Sequence, residues 1–341
     1  MNYDAILVAS FGGPESPEDV MPFLENVLRG KNVPPERMLE VAEHYYHFSG
    51  KSPINDQNRQ LIAALKAELA QHGPRLPIYW GNRNWDPMFA DTLQKMTADG
   101  VRLALAFVTS AYSSYSGCRQ YREDIARAQE IAGEGAPTVD KIRAFYNHPG
   151  FVEAVADRVK ESLELISQDR REAAHLIYTA HSIPTAMALG CDYEKQLRET
   201  SRLVAEKLGR EEWRLVYQSR SGPASQPWLG PDILDCLREI RTRGGSSDVV
   251  IAPVGFVSDH MEILFDLDTQ ARELCAELGL RMVRAKTAGT HPRFIRMIRE
   301  LICERIDDNY TRLALGALGP RPDICPSDCC PTPRRSQTGA A

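Results

Sequence analysis

The stretch Asp248-Val-Val-Ile-Ala-Pro-Val254 is a nearly continuous apolar run that a loop and then a helical pattern follow. A strand that is apolar on both faces needs cover on both faces, and parallel sheets receive that cover from the helices that connect their strands. This stretch therefore predicts a buried strand in a parallel α/β sheet.

Seven further short apolar runs occur along the chain, each followed by a Gly, Ser or Pro loop and a helical pattern. Strands that alternate with helices in this way indicate parallel sheets. Four predicted strands lie in each half of the chain, so the sequence predicts two α/β units. The predicted strands cover residues 4–9, 76–81, 102–109 and 141–146, and then 174–180, 213–218, 248–254 and 281–285.

The boundary between the two units is predicted near Asn147-His148-Pro149-Gly150, a turn cluster after which a new helix begins. We expect an N-terminal α/β domain over residues 1–147, a C-terminal α/β domain over 148–310, and a Cys- and Pro-rich tail over 311–341. The last helix is predicted from Pro292 to about Asp307, and we expect it to pack back on the first domain. Residues after about Gln337 have no periodicity and predict no fixed structure.

The composition of the 341 residues excludes several classes of protein. Apolar residues make up 43% and charged residues 26%, which is typical of a folded globular protein. The 41 Lys and Arg against 46 Asp and Glu argue against nucleic-acid binding, which requires a basic surface. No apolar run approaches the roughly 18 residues of a membrane span, and a strand pattern begins at Ala5 without a basic leader. We therefore expect a cytoplasmic protein.

Two strand ends carry reactive side chains. Ligands of open parallel sheets bind beyond the carboxyl ends of the strands, and no dinucleotide fingerprint or P-loop is present. One predicted strand delivers His181 in Tyr178-Thr-Ala-His-Ser-Ile-Pro184, and the other leads through Ser258-Asp-His-Met-Glu262 into a helix. His181 is a candidate base or metal ligand; the alternative is a hydrogen-bonded structural histidine.

The helix after Glu262 is predicted to be amphipathic. With a core stripe of Leu264, Leu267, Ala271, Leu274 and Leu278, another face carries Glu262, Asp266 and Gln270 at steps of four residues. Such a row suits the path of a divalent cation. The alternative is a solvated acidic helix start, which the helix dipole favours.

The eight cysteines fall into two groups. Cys236, Cys275 and Cys303 lie at apolar positions of helical patterns and are expected to be buried. The segment Cys325-Pro-Ser-Asp-Cys329-Cys330-Pro331 crowds three thiols into a Pro-rich tail that can bury them in neither a helix nor a strand. In a cytoplasmic chain these are expected to be thiols or metal ligands rather than disulfides.

Five strings together resemble the ferrochelatase family over about residues 3–305. They are Ser10-Phe-Gly-Gly-Pro14, Ser52-Pro-Ile-Asn55, Thr179-Ala-His-Ser-Ile-Pro184, Gln226-Pro-Trp-Leu-Gly-Pro231 and Val254-Gly-Phe-Val-Ser-Asp-His-Met-Glu262. The segment Tyr112-Ser-Ser-Tyr-Ser-Gly-Cys118 and the Cys-rich tail are most similar to the actinobacterial-type branch. That branch consists of coproporphyrin III ferrochelatases, many of which carry a [2Fe–2S] cluster.

The resemblance implies a lyase-type metal chelatase that inserts Fe²⁺ into coproporphyrin III in haem biosynthesis. The fold it implies is two similar Rossmann-like domains, each with a four-stranded parallel sheet flanked by helices, with a porphyrin cleft between them. Three alternatives remain open: a protoporphyrin IX ferrochelatase that produces protohaem, a non-catalytic porphyrin or haem carrier, and a chelatase for another metal or tetrapyrrole. We expect a monomer that contacts neighbouring haem-pathway enzymes transiently.

The resemblance also implies the roles of single residues. His181 and Glu262 are the catalytic, iron-contacting pair, Asp266 belongs to an outer metal site, and Asp259 and His260 orient Glu262. Gln270 stands where relatives commonly have a third carboxylate, which puts that outer site in doubt. The residues implied to contact the porphyrin are Phe11, Arg29, Tyr45, Ser52, Tyr121 and Trp228, and Lys31 beside Arg29 also suits carboxylate recognition.

The predicted [2Fe–2S] cluster requires four thiolates. Three would come from Cys325, Cys329 and Cys330. Cys118 is the expected fourth ligand because it lies in a loop at a strand end where relatives place an internal ligand, and Cys191 is the alternative. A structural zinc ion on the same thiolates and three free tail thiols are competing interpretations.

Overall fold

Two four-stranded parallel sheets form the framework of the computed structural model, which describes residues 2–30, 33–223 and 225–332. The predictions for Lys31 and for residues after Gln337 lie outside these ranges. The first sheet has the order β2-β1-β3-β4 and the second β6-β5-β7-β8, with all neighbours parallel. The strands are β1 Ala5–Ser10, β2 Ile78–Asn82, β3 Leu103–Val108, β4 Thr138–Lys141, β5 His175–His181, β6 Arg214–Gln218, β7 Asp248–Ala252 and β8 Arg281–Arg284.

Helices cover both sheets, which is why the central strands can be apolar throughout. All residues of β1 and β7 are buried, as the sequence pattern predicts for strands packed on both faces. The α-helices are α1 Val20–Leu28, α2 Pro35–His47, α3 Ile54–His72, α4 Phe89–Ala98, α5 Gln120–Ala132, α6 Pro149–Glu164, α7 Gln168–Arg171, α8 Thr185–Ala188, α9 Tyr193–Lys207, α10 Ile233–Arg243, α11 Met261–Ile263, α12 Arg272–Glu277 and α13 Pro292–Ile306. Two π-helical segments lie at Tyr115–Arg119 and Leu264–Ala271, and a 3₁₀ turn lies at Pro17–Asp19.

The fourth strand was wrongly placed by the sequence pattern. It covers Thr138–Lys141 rather than 141–146, because the apolar run after Lys141 is buried for another reason. The ring of Phe145 stacks on that of Phe107 at 5.3 Å and approaches Phe294 of α13 at 6.0 Å. These residues therefore fill the core beyond the strand end, and burial alone does not distinguish them from a strand.

The last helix, α13, connects the two halves. It packs against α3 of the first half and α6 of the second, and one continuous apolar cluster includes residues from both sheets. A buried ion pair adds to this contact: Arg143 donates to the Glu304 carboxylate at 2.7 and 2.8 Å, and both side chains are almost fully buried. The two sheets are consequently held together by a shared core.

In each sheet the strand order changes direction at one point, between β1 and β3 and between β5 and β7. Loops diverge at such points and leave a crevice at the carboxyl edge. The two edges meet, since the Tyr112 hydroxyl after β3 donates to the carbonyl of Val254 after β7 at 2.8 Å. Among the described residues, no helix combines the length and the apolar character needed to cross a bilayer.

Candidate active site

His181 and Glu262 meet at the point where the second sheet changes direction. His181 is the last residue of β5, and Glu262 lies in α11, which begins shortly after β7. The Nε2 atom of His181 lies 3.3 Å from Oε1 of Glu262, although the Glu262 side chain keeps 42% of its surface exposed. The structure thus brings together the two residues that the sequence predicted as a pair.

One hydrogen bond orients the ring of His181, and a second holds its backbone. Its Nδ1 lies 2.5 Å from the carbonyl oxygen of Ser182, which can only accept, so Nδ1 carries a proton. The hydroxyl of Tyr193 donates to the backbone carbonyl of His181 at 3.0 Å. Nε2 is therefore the ring nitrogen presented to Glu262. Sequence reasoning missed Tyr193, because nothing in its local pattern distinguishes it from any aromatic residue at a helix start.

The His181–Glu262 pair is charged near neutral pH. Burial by itself would lower the pKa of His181, but the charge of Glu262 and the hydrogen bond to it raise this pKa to about 9. Burial would raise the pKa of Glu262, but the charge of His181 and their hydrogen bond lower it to about 2. The proton shared by the two groups accordingly resides on the imidazole.

Asp266 lies one helical turn further along and is bound from the neighbouring strand end. Ser219, directly after β6, donates its hydroxyl to Oδ2 of Asp266, and Nε2 of Gln218 lies 3.4 Å from the same oxygen. Burial, with the charge of Glu262, raises the pKa of Asp266 to about 7. A carboxyl group that titrates near neutrality can take up or release a proton. Ser219 was missed by the sequence analysis, although the strand-end rule that selected His181 also applies to it.

The helix that carries these carboxylates departs from the prediction because Leu264–Ala271 is a π-helix. Its i→i+5 hydrogen bonds widen the turn and change the buried face. The buried residues follow steps of four, while Leu264, Leu274 and Leu278 of the predicted stripe are only half-buried and Gln270 is exposed. The buried set is Ile263, Leu267, Ala271 and Cys275.

The two neighbours expected to orient Glu262 behave differently. His260 contacts it: Nδ1 of His260 accepts the backbone N–H of Glu262 at 3.3 Å. Asp259 makes its side-chain bonds elsewhere, and its orienting role stays a prediction. Its carboxylate instead accepts two bonds of 3.2 Å from Arg284, because that guanidinium lies within reach at the end of β8.

An aromatic surface faces the pair from the first half of the chain. Phe11, directly after β1, is 37% exposed and meets Phe23 edge-on at 6.3 Å, and Phe23 meets Tyr45 at 5.6 Å. Tyr45 lies close enough to Glu262 for that charge, together with burial as the larger cause, to raise the pKa of Tyr45. Phe11, Phe23 and Tyr45 therefore form a row of aromatic rings whose Tyr45 end lies near Glu262.

The remaining predicted porphyrin contacts in the first half occupy different depths. Arg29 is exposed and donates to the side chain of Asn26 at 2.5 Å. Ser52 and Tyr121 are 2% and 4% exposed. Ser52 donates its backbone N–H to Pro14 at 2.9 Å, and the ring of Tyr121 lies 4.8 Å below the guanidinium of Arg83. Their role stays a prediction, and their burial favours support of the loop that carries Phe11.

Trp228 lies in the loop beside the segment that follows His181. A backbone bridge pairs it with Pro184, and the indole packs on the backbone of Gly222, where a Cβ would lie 2.4 Å from Nε1. Ser182 reinforces this connection, since its hydroxyl donates to the carbonyl of Leu229 at 2.7 Å. The position is consistent with a wall of the cleft and leaves the predicted role open.

Comparison with known proteins decides the family. The family model described as ferrochelatase matches residues 3–306. The chain belongs to the ferrochelatase family. A ferrochelatase from Rhodopirellula baltica is 60% identical, and the match covers 98% of this chain and 95% of that protein. The coproporphyrin III ferrochelatases of Streptomyces coelicolor and Nocardia farcinica are 50% and 48% identical, with 99% and 98% of this chain and 96% and 98% of theirs covered.

Solved structures of other chelatases share the fold. SirB from Bacillus subtilis, solved with Fe³⁺, has a TM-score of 0.54 at 13% identity and covers 91% of this chain and 100% of its own. CbiX, described as the terminal enzyme of siroheme biosynthesis in denitrifying bacteria, has a TM-score of 0.50 at 13% identity, with 89% and 100% covered. Identities this low concern the fold alone. Both predictions, the ferrochelatase family and the paired parallel α/β fold, are confirmed.

The thiols of this ferrochelatase-family chain approach one another in pairs. Cys118 lies close enough to Cys325 and Cys330 for their interaction to lower the pKa of Cys118 and to raise the pKa values of its two partners. The Sγ atoms of Cys329 and Cys330 lie 3.5 Å apart. Cys191 instead donates its thiol to the carbonyl of Met187 at 3.2 Å.

A binuclear iron–sulfur cluster requires four thiolates, which is the number that Cys118, Cys325, Cys329 and Cys330 would supply. Within residues 2–30, 33–223 and 225–332, no three His, Cys, Asp or Glu side chains are arranged to hold one metal ion. Of the three cysteines expected in the core, Cys236 and Cys275 are buried and Cys303 is only half-buried.

Proposed function

We propose that this chain inserts Fe²⁺ into coproporphyrin III and releases Fe-coproporphyrin III, the coproheme of haem biosynthesis. The observation that carries the proposal is the 3.3 Å contact between His181 and Glu262, with Tyr45 of the first half near Glu262. A carrier of porphyrin or haem has no need of a protonated base beside two carboxyl groups. The names of the relatives from Streptomyces and Nocardia support coproporphyrin III as the substrate.

The reaction removes two protons from the pyrrole nitrogens and exchanges them for Fe²⁺ without a change in oxidation state. In the resting pair the proton on His181 balances the charge of Glu262. Substrate Fe²⁺ that reaches Glu262 replaces this proton as the counter-charge, and His181 then releases the proton from Nε2 to water. The neutral imidazole then accepts one pyrrole proton. Asp266, whose pKa is near 7, suits the transfer of the second proton to water.

Recognition of the porphyrin falls to the first half of the chain and to Trp228. We assign Phe11 as a packing face, because a phenyl ring offers no ligand to iron. Tyr45 and Trp228 lie at the edges of the porphyrin ring. Arg29 binds a propionate, with which its guanidinium can form two parallel hydrogen bonds. Ser52 and Tyr121 hold the Phe11 loop from behind.

Anaerobic assays decide between the candidate substrates. Purified protein is given Fe²⁺ with either coproporphyrin III or protoporphyrin IX, and the porphyrin absorbance is followed. Clearly faster turnover of coproporphyrin III supports the proposal. Equal efficiency with both removes the basis for the narrower substrate, and binding without metallation of either would indicate a carrier. The same assay with Co²⁺ or Zn²⁺ in place of Fe²⁺ tests which metal ion the protein inserts.

We further propose that Cys118, Cys325, Cys329 and Cys330 hold a [2Fe–2S] cluster. The 3.5 Å between the sulfur atoms of Cys329 and Cys330, and the interaction of Cys118 with Cys325 and Cys330, support it. When bound, the cluster supplies a structural tie and a one-electron redox centre. Protein purified without oxygen should be reddish-brown, with equal amounts of iron and sulfide, whereas a colourless zinc protein would contradict the assignment.

The cellular location and the oligomeric state are part of the proposed function. The free thiols of all eight cysteines suit the reducing conditions of the cytoplasm. We propose a monomer there that meets neighbouring enzymes of the pathway only transiently. Light scattering at micromolar concentration tests the oligomeric state, and a stable dimer would contradict it.

A further inference from the structure

Residues 311–332, called here the C-terminal arm, return along the junction between the two halves. The arm is first tied at Asn147, which is completely buried. The side-chain amide of Asn147 donates to the carbonyls of Leu315 and Gly319 at 3.1 and 2.8 Å, and the backbone carbonyl of Asn147 accepts the N–H of Leu315 at 2.8 Å. Two bonds from a buried side chain and one to its backbone fix the course of the arm at this point.

The second tie lies on the segment that precedes α9. Arg321 of the arm pairs with Asp192, with 2.9 Å between Nη1 and Oδ2. Pro331 touches the backbone of Gly190, where a Cβ would lie 3.2 Å from Cγ of the proline. The arm therefore presses on two residues of the short stretch between α8 and α9.

The third tie lies on the opposite side, in the first half of the chain. Arg119 donates to the carbonyl of Cys329 at 3.3 Å. Its neighbour Cys118 lies close enough to Cys325 and Cys330 of the arm to raise the pKa values of both thiols. The end of the arm thus bridges one strand-end loop of each sheet.

The stretch held by the arm continues directly into the support of His181. Tyr193 follows Asp192, and its hydroxyl donates to the His181 carbonyl at 3.0 Å. Tyr193 is 7% exposed, and its ring meets Tyr112 edge-on at 6.1 Å. Burial raises the pKa of Tyr193 well above its usual value, so the hydroxyl remains a donor. Gln196, one turn later, accepts the N–H of Ser113 at 2.7 Å.

We propose that the C-terminal arm positions the catalytic His181, with Arg321, Asp192 and Tyr193 as the positioning residues. The arm holds Asp192 in place at the start of α9. This fixes the position of the Tyr193 hydroxyl, which in turn holds the backbone carbonyl of His181. A reacting group must be held within a fraction of an ångström, so a loosened carbonyl costs rate rather than substrate affinity. The inference rests on the proposed function, in which His181 acts in iron insertion.

Three variants test this connection: Tyr193→Phe, Arg321→Ala and the double variant. Loss of one hydrogen bond of ordinary strength corresponds to a decrease in kcat of about fivefold for Tyr193→Phe, with KM for coproporphyrin III unchanged. Arg321→Ala should lower kcat by about twofold to fivefold. Because both act through one carbonyl, the double variant should resemble Tyr193→Phe alone rather than show the product of the two effects.

Arg198→Ala is the matched control. Arg198 pairs with Glu194 on the exposed face of the same helix, and its removal should leave kcat unchanged. A charge exchange, Asp192→Arg with Arg321→Asp, should restore the kcat that either single reversal loses. Iron and sulfide content are measured in every variant, so that rates are compared at equal content.

Hydrogen–deuterium exchange provides a readout independent of turnover. Amides of residues 182–193 should exchange about fivefold faster in Arg321→Ala than in the wild type, and at the wild-type rate in Arg198→Ala. Unchanged amide exchange of residues 182–193 in Arg321→Ala would overturn the proposal. A decrease in kcat of the double variant equal to the product of the two single decreases would also overturn it. If the wild type inserted no iron, the proposed function would fail, and exchange alone would then decide whether the arm holds this segment.

Discussion

Oε1 of Glu262 lies 3.3 Å from Nε2 of His181, and the two side chains come from neighbouring strand ends of one sheet. The carboxylate raises the pKa of the imidazole while the imidazolium lowers that of the carboxylate. Each residue therefore owes its protonation state to the other, and a change in either should alter both.

His181→Ala should abolish metallation while porphyrin binding stays within about twofold of the wild type. The loss of a positioned base accounts for a decrease of about 10²–10⁴-fold in rate. Turnover is measured by porphyrin absorbance and binding by fluorescence quenching. The control is His72→Ala, since His72 is exposed at the end of α3. Near-normal turnover of His181→Ala would refute the catalytic assignment.

Glu262→Gln should lose more activity than Asp266→Asn. Both changes preserve shape and remove a carboxylate, but only Glu262 contacts His181, whereas Asp266 is bound by Ser219 and Gln218. We expect a decrease in kcat of at least about 100-fold for the first and about tenfold for the second. If Asp266→Asn were the more damaging change, the order of the two carboxylates would have to be reversed.

Cys329→Ser should bleach the protein, remove most of its iron and sulfide, and lower its midpoint of thermal unfolding. Serine has nearly the size of cysteine but does not replace a thiolate ligand of iron. Cys191→Ser, at the alternative fourth position, should keep the colour, and Cys118→Ser should lose it. An intact cluster in Cys118→Ser would contradict the assigned ligand set.

Glu304→Gln should destabilise the fold by about 3–5 kcal/mol, because it leaves the charge of Arg143 buried and unpaired. Both side chains of this pair are 1% exposed. Urea unfolding measures the free energy. Asp235→Asn removes an exposed partner of Arg238 and should change that energy by less than about 1 kcal/mol. Equal effects would show that the buried pair contributes no more than a surface pair.

Stability should decline as the pH falls below 6.5 because of His148. Burial, with the nearby charge of Arg143, lowers the pKa of this histidine to about 3, and its Nδ1 accepts the N–H of Gly150 at the start of α6. Between pH 6.5 and 3 the unfolded chain therefore binds one more proton here, at a cost of up to about 1.4 kcal/mol per pH unit. His148→Asn keeps a capping acceptor without the titration. Urea unfolding at pH 4.5, 5.5 and 6.5 should show a shallower pH dependence in this variant, and an equal slope would refute the assignment.

The sequence predicted the strands because their residues carry the signal locally. A strand buried on both faces must be apolar throughout, and this requirement located seven of the eight strands within a few residues. It failed at Phe145, which is buried by Phe107 and Phe294 rather than by a sheet. The prediction of an amphipathic α-helix failed at Leu264–Ala271. It assumed 3.6 residues per turn, whereas the backbone there forms a π-helix.

The amino-acid sequence by itself determined the two α/β units, the strand-end positions of His181 and Glu262, and the family, since each follows from residues adjacent in the chain. Only the tertiary structure decided which residues bind these side chains and their neighbours. Tyr193 hydrogen-bonds to His181, Ser219 to Asp266 and Arg284 to Asp259, and the arm forms an ion pair with Asp192. These contacts join residues between 12 and 129 positions apart in the sequence. Their geometry depends on how two sheets and a returning helix pack together, and no local pattern of residues specifies that packing.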